Sequence, residues 1–463
     1  MGTLISSLNI ALQSMQANQE ALSTTTNNIA NANTPGYTDQ SVSLVESAPV
    51  EYGGFVFGDG VSVGQITSSR DSLLQTRLDQ ETQQQSATNS YLGTMQQVQD
   101  LFNETSGNGL QSSLTSFFNS LQDLSTSPTD SSLRQGVLTA AQNLAENFNS
   151  TASNLTQLQE TADQTVTQTV GQINTLTSQI ASLNVQIASA TSGGQSASTY
   201  LDQRDQLINQ LSGLIDVSQI NTGNGGITLT TSNGAALVTG NQSVPLSTET
   251  NPTTGFQDVY SQGKDITSTI TGGTLAGALQ ARDQTIPSIL SSLDSLASSL
   301  GNSFNTINEA GTDLNGDAGT AFFNVPSSGT ANAAATISVA LTDPSQIAGS
   351  LNGTAGDNSN INAMLAVQNQ TIVNGQTPLN AYSNLVYQVG SDVSTAQTES
   401  TASAAMVTQL QSQISSVSGV DVNQESVNLV QYERAYQAAA QVSSVIDSLT
   451  ADAINLGQAI TAS

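Results

Sequence analysis

The stretch NIANANTPGYTDQ, Asn28 to Gln40, closes a run of about 25 residues that reads as one amphipathic helix. Steps of three and four along that run select Ile5, Leu8, Leu12, Met15, Gln19, Leu22, Thr26 and Ile29, a heptad-like seam with two polar interruptions. Such a seam needs a partner helix. The stop is chemically overdetermined: Pro35 cannot donate to the helical ladder, Thr34 before it is pushed toward extended geometry, and Gly36 tolerates positive φ. Pro35, Gly36 and Tyr37 therefore predict a hinge from which the chain leaves in a new direction.

A matching seam lies at the other end. Leu429, Tyr432, Tyr436, Ala439, Val442, Ile446, Leu449, Ala453, Leu456 and Ile460 recur at steps of three or four, after a second break at Ser418-Gly419. Neither stripe has a local partner, so the two ends are expected to meet, with residues 1–36 and 420–463 forming one helical, coiled-coil module. A helix of this length is marginal alone in water, and the module is expected to be disordered in the monomer and to order against neighbouring subunits. Tyr37 is placed to fasten the joint; Tyr432 and Tyr436 suit packing within the chain's own helix pair and contact with adjacent copies equally.

Between the ends, residues 38–67 are rich in Val, Gly and Ser and read as irregular or short-stranded. Helical periodicity then runs from Asp71 to about Asp216. Within it Val166, Val170, Ile173, Leu176, Ile180, Leu183 and Ile187 mark a rod-like helix that exceeds 35 residues, or about 50 Å. Past Asp216 the texture turns to Thr, Gly and Val, and ITLTTSNGAALV, Ile227 to Val238, carries a hairpin cue at Asn233-Gly234. A further helix follows through Ile289, Leu293, Leu296, Leu300, Phe304 and Ile307, then a looser stretch with one strand, ATISVAL, then helix again. The expected fold is mainly α and elongated: a helical body of residues 37–216 with 274–419, a small β region at 217–273, and the terminal module.

Composition limits the chemistry. Of 463 residues only 37% are hydrophobic and 4% aromatic, which suits slender helices better than a broad catalytic globule. Seven Lys and Arg against 35 Asp and Glu give a formal charge of −28, which repels nucleic acid and anionic lipid. With no Cys and no His the chain has neither thiolate chemistry nor the side chains of most zinc sites. No run is long and apolar enough to insert in a membrane, and the opening residues lack the basic and apolar regions of a cleaved signal.

Three constellations invite chemical readings that simpler ones displace. Asp313, Asn315 and Asp317 start like a calcium loop, but Ala318 stands where the glycine belongs and Asn324 where the bidentate Glu belongs, so a capped turn is expected. Ser261 and Lys264 form a Ser-x-x-Lys in a Gly-flanked β-type stretch, and Lys264 is the only lysine, so the companion Lys-Thr-Gly cannot exist. Asp202, Arg204 and Asp205 read as a solvated helix start with Arg204 bridging the two acids. Some of Arg134, Arg204 and Arg282 are expected to pair with carboxylates within the body or across subunits. No catalytic, cofactor-binding or metal-ligating residue is expected.

NNIANANTPGYTDQ at the start and SGVDVNQESVNLVQYERAYQAAAQVSSVIDSL at the end resemble the shared termini of the axial proteins of the bacterial flagellum. Five interior stretches resemble, more narrowly, the proteins of the hook–filament junction: SLRQGVLTAAQNLAENFN at 132–149, LDQRDQLINQLS at 201–212, GTLAGALQARD at 273–283, FNTINEAGTDLNGDAGTAFF at 304–323 and GDNSNINAML at 356–365. The resemblance implies a non-enzymatic adaptor, without cofactor, exported by the flagellar type III apparatus and assembled as a ring at the hook tip. Implied partners are copies of itself, hook protein, the second junction protein and a cytoplasmic export chaperone. The packing residues would be Ile5, Leu8, Leu12, Met15, Leu22, Ile29, Leu429, Tyr432, Tyr436, Val442, Ile446, Leu449 and Leu456, with Pro35, Gly36, Tyr37 and Gly419 as hinge. Relatives often carry an outer β domain after the FF pair; here it is expected to be absent between 323 and 337. Another axial protein, such as hook or distal rod, is the nearest alternative, and a secreted coiled-coil adhesin or translocator a more distant one.

Overall fold

The computed structural model describes residues 2–52, 55–103, 109–223, 225–326 and 331–461. Helix α1 (Gly2–Asn31) leads into an antiparallel pair, Gln40–Glu46 with Val61–Ser68, bulged at Ser43/Leu44 and extended by a small hairpin of Val50–Tyr52 with Phe55–Phe57. The segment expected to be irregular or short-stranded is thus short-stranded, a paired ribbon. Its strands alternate poorly in polarity, which hides them from a period-two search.

Helix α2 (Ser72–Leu101) starts at Asp71, whose carboxylate accepts from the amides of Leu73 and Leu74. Then come α3 (Leu110–Thr126), α4 (Ser131–Ser192, capped by Asp130) and α5 (Ser198–Ser212). The rod helix α4 is longer than its stripe suggests: 62 residues, or roughly 93 Å. After two small antiparallel sheets, α6 (Gly273–Gln280) runs through a π turn at Ala281–Thr285 into α7 (Ile286–Ala310). The one-turn α8 (Ala333–Thr336), α9 (Ser359–Ala366), α10 (Pro378–Ser418) and α11 (Val422–Thr461) complete the chain. Of ATISVAL only Ser338–Val339 is a strand, paired with Phe323–Asn324, because Ala333–Thr336 takes the helical turn first.

Two cores share α4. The first gathers α3, the early half of α4, α7, α9 and the start of α10 around touching rings of Phe117, Phe118, Phe304, Phe322 and Phe323. The second sets the later half of α4 and α5 against the β region and α6. There the four-stranded sheet turns at Asn233-Gly234, with Gly234 at φ +85°, as its hairpin cue requires. Where α6 crosses α2, a Cβ on Gly277 would lie 2.1 Å from the carbonyl oxygen of Ala87, so only glycine permits that approach. Helices α2 and α10 lie side by side, pinned by Leu78, Val407 and Leu410, and α1 packs along α11.

Candidate functional site at the joint of the chain ends

The two chain ends meet around Asn28, which is fully buried. Its Nδ2 donates to Asp39 Oδ1 at 2.8 Å, to the Gln40 carbonyl at 2.8 Å and to Glu425 Oε2 at 3.2 Å. Its Oδ1 accepts from Tyr37 Oη at 2.8 Å and from the Gln40 amide at 3.2 Å. One amide therefore closes the loop after α1, starts the ribbon and grips the first turn of α11. The Pro35-Gly36 turn, with Gly36 at φ +79°, swings Tyr37 back onto the helix it has just left.

A second layer fastens this joint to the body. Thr38 Oγ1 donates to Asp202 Oδ1 at 2.7 Å, and Arg70 bridges Asp202 and Asp205, also donating to the Ser198 carbonyl at 2.7 Å. The Asp39 amide donates to the Ser418 carbonyl at 2.8 Å and Ser69 Oγ to that of Val417 at 3.1 Å, so the end of α10 is held beside the ribbon. Gly419 follows in extended geometry, and a Cβ there would meet the Ser415 carbonyl oxygen at 2.3 Å.

Burial dominates the electrostatics. It pushes the Tyr37 phenol up to about 12, with the carboxylates of Asp202, Asp39 and Glu425 adding to the shift. It raises the Asp39 carboxyl as well, again with Glu425 contributing, and the Asp202 carboxyl against the opposing pull of Arg70. The joint is a dense hydrogen-bonded fastening with the phenol neutral, suited to fixing an angle.

The seam residues divide. On α1, Met15, Leu22 and Ile29 are half-covered, whereas Leu12 is 44% and Ile5 55% exposed. A heptad seam drifts by about 20° per repeat on a straight helix, which turns the early residues away from α11. The fully buried apolar side chains of α1 are small ones instead, Ala11, Ala17 and Ala21. On α11, Leu429, Tyr432 and Tyr436 are half-covered and Ile446 is buried, while Val442 and Leu449 are exposed. Leu8 is half-covered; the side chain of Leu456 lies outside the described residues.

The cations behave differently from their sequence reading. Arg204 does not bridge its neighbours; buried, it donates to Asn184 Oδ1 at 3.0 Å and the Gly225 carbonyl at 2.5 Å, and Arg70, from a distant turn, takes the bridging role. Asp202 is buried rather than solvated. Arg134 holds the carbonyls of Pro128 at 2.6 Å and Ile347 at 2.7 Å in place of a carboxylate. Arg282 does pair, with Asp163 at 2.6 Å and Asp283 at 2.7 Å. Ser261 and Lys264 flank a tight hairpin turn, and Asp313 caps its own loop through the amides of Asn315 and Asp317, both at 2.8 Å. Asn28, Glu425 and Arg70 escaped the sequence reading as site residues. Glu425 had one available signal: it lies seven residues before Tyr432, on the inward line that continues to Ala439 and Ile446.

The ends that fold back on each other and lock beside a proline-glycine turn are the parts of the chain that match families of flagellar axial proteins. The basal body rod protein family matches residues 8–38, and the C-terminal family of the basal body rod FlgEFG proteins matches 411–456. Between them the helical domain of flagellar hook-associated protein FlgK matches residues 95–323. Flagellar hook-associated protein 1 of Bacillus subtilis (strain 168) is 30% identical over 497 residues, covering 97% of each chain. Its counterpart in Salmonella typhimurium is 28% identical over 549 residues, covering 97% of this chain and 99% of the relative. The chain belongs to the flagellar hook-associated protein 1 family. The fold of the flagellar hook junction protein FlgK from Burkholderia pseudomallei agrees with a TM-score of 0.68 at 20% identity, over 74% of this chain and 100% of that one.

Proposed function

We propose that this chain is the structural adaptor that assembles at the hook tip and joins hook to filament. The observation that carries the reading is the terminal helix pair, locked at Asn28 yet leaving Ile5, Leu12, Val442 and Leu449 uncovered in the single chain. Neighbouring subunits supply the missing burial, so α1 and α11 join a tubular core while the body spreads laterally. Its partners are copies of itself, hook protein below, the second junction protein above, and an export chaperone that shields α11 before passage through the type III apparatus. The role is mechanical and involves no catalysis.

In this reading the chain divides into the terminal module of residues 1–36 with 420–463, a helical body of 37–216 with 274–419 and a β region at 217–273. The reading includes the lack, between 323 and 337, of an outer β domain that relatives often carry, and the pairing of Phe323–Asn324 with Ser338–Val339 supports it. The body is correspondingly slim. Deleting the gene is expected to leave hooks without filaments and flagellin shed into the medium, with filaments restored by the intact chain. Cells lacking hooks would instead indicate a hook or rod protein, and normal filaments a protein outside the organelle.

A further inference from the structure

Both the ribbon of residues 40–68 and α11 pack against α1. The ribbon meets α1 at one edge: Ser47 Oγ donates to Gln13 Oε1 at 3.0 Å, and Gly60 lies against Ile10 and Gln13. The buried arc of α1 continues from there to Ala11, Asn18 and Thr25, spaced at sevens, which leaves that edge to α11. So α1 is a middle layer, and the terminal module presents two separate outer faces.

Those faces are complementary. On α11, Glu425, Tyr432, Ala439 and Ile446 are covered, while Val427, Val430, Arg434, Ala438, Val442, Val445 and Leu449 form a second stripe that is exposed, Val427 to 61% and Val445 to 59%. At its middle Arg434, in a chain with only seven cations, makes no ion pair among the described residues. The ribbon exposes Leu44, Val45, Val50, Val56 and Val63, together with Glu46 and Glu51, and Asp59 beside them is half-buried; none of the three carboxylates makes an ion pair among the described residues. With Glu425 level with Asn28, helical and strand rises place Arg434 and Glu46 within about 6 Å of each other along the module axis.

We propose that, given the axial assembly argued above, the exposed stripe of α11 docks on the ribbon of a second copy, with Arg434 meeting that copy's Glu46, Glu51 and Asp59. The contact is heterologous: each copy offers α11 to one neighbour and its ribbon to the other, so contacts propagate round a ring. A two-fold contact of α11 with α11 would bring Arg434 against itself and leave the ribbon bare.

The chain has no cysteine, which makes the test direct. Chains carrying Val45→Cys and Ala438→Cys together, expressed in place of the wild type and oxidised in isolated flagella, are expected to give a ladder beyond dimers, and each single variant monomers only. In parallel, Arg434→Glu is expected to reduce the number of filaments at least tenfold, and Glu46→Arg with Asp59→Arg in the same chain to restore them. Dimers from Ala438→Cys alone, or flagella that form normally with no ladder and no charge effect, would overturn the proposal while leaving the junction role intact. Failure of the wild-type chain to restore filaments would count against the junction role itself.

Discussion

Replacing Asn28 with alanine is expected to abolish filament assembly while leaving the body folded. The substitution removes five hydrogen bonds at a fully buried position and strips a donor from Asp39 and Glu425 and an acceptor from Tyr37 and the Gln40 amide. Buried groups left in this way cost on the order of 3–5 kcal/mol together. That exceeds what a marginal helix pair can absorb, so α1 and α11 lose their fixed register. Asn28→Asp is a sharper variant: it keeps the shape but sets a third carboxylate beside Asp39 and Glu425. Swimming and electron microscopy of the hooks read the result, and wild-type filaments on either variant would refute the role given to the joint.

The second large effect concerns pH. Asp79 of α2 is buried against α5 and the strand Ser218–Gly223, and its carboxylate is held only by neutral amides: Asn209 at 3.0 Å, Gln219 at 2.9 Å and Gln75 at 3.4 Å. Burial pushes its pKa from 3.8 up to about 7, with Asp205 adding to the rise and the three amides opposing it. The folded chain therefore keeps a proton that the unfolded chain gives up near pH 4. Stability attributable to Asp79 is fully present below pH 4, falls as pH rises toward 7 and is flat above. At about 1.4 kcal/mol per unit the full shift exceeds 4 kcal/mol, and residual burial in the denatured chain brings the expectation to about 2–3. Asp79→Asn should accordingly be about 2–3 kcal/mol more stable than wild type at pH 8 and equal to it at pH 4, measured by urea unfolding. Equal stabilities at both values would show that this carboxylate is ionised at no cost.

Much of this architecture is legible in the sequence because its signals are periodic or local. Pro35 and Gly36 stop α1, Asn233-Gly234 turns a hairpin, and the spacing from Val166 to Ile187 marks α4. The pairing of the ends is readable too, because two apolar stripes without local partners have few other places to go. The hydrogen-bonded joint is not. Arg70 reaches Asp205 across 135 positions and Asn28 reaches Glu425 across 397, and nothing in local propensity specifies such distant polar partners. For the same reason Arg204 looked like a bridge between its neighbours: sequence proximity suggests the contact, whereas α5 turns that side chain toward Asn184. The ribbon shows in the sequence only as a short-stranded texture, because Leu44 and Val45, neighbours just past the bulge at Ser43/Leu44, are both exposed and blur the alternation.

Hydrogen exchange on the soluble monomer and on isolated hook–filament junctions tests most directly whether the paired ends are an incomplete module that neighbours complete. The amides of α1 and α11 should exchange at least a hundredfold faster in the monomer than in the junction, while those of α4 and α7 stay slow in both. Terminal helices that exchange as slowly in the lone chain as in the junction would contradict the account.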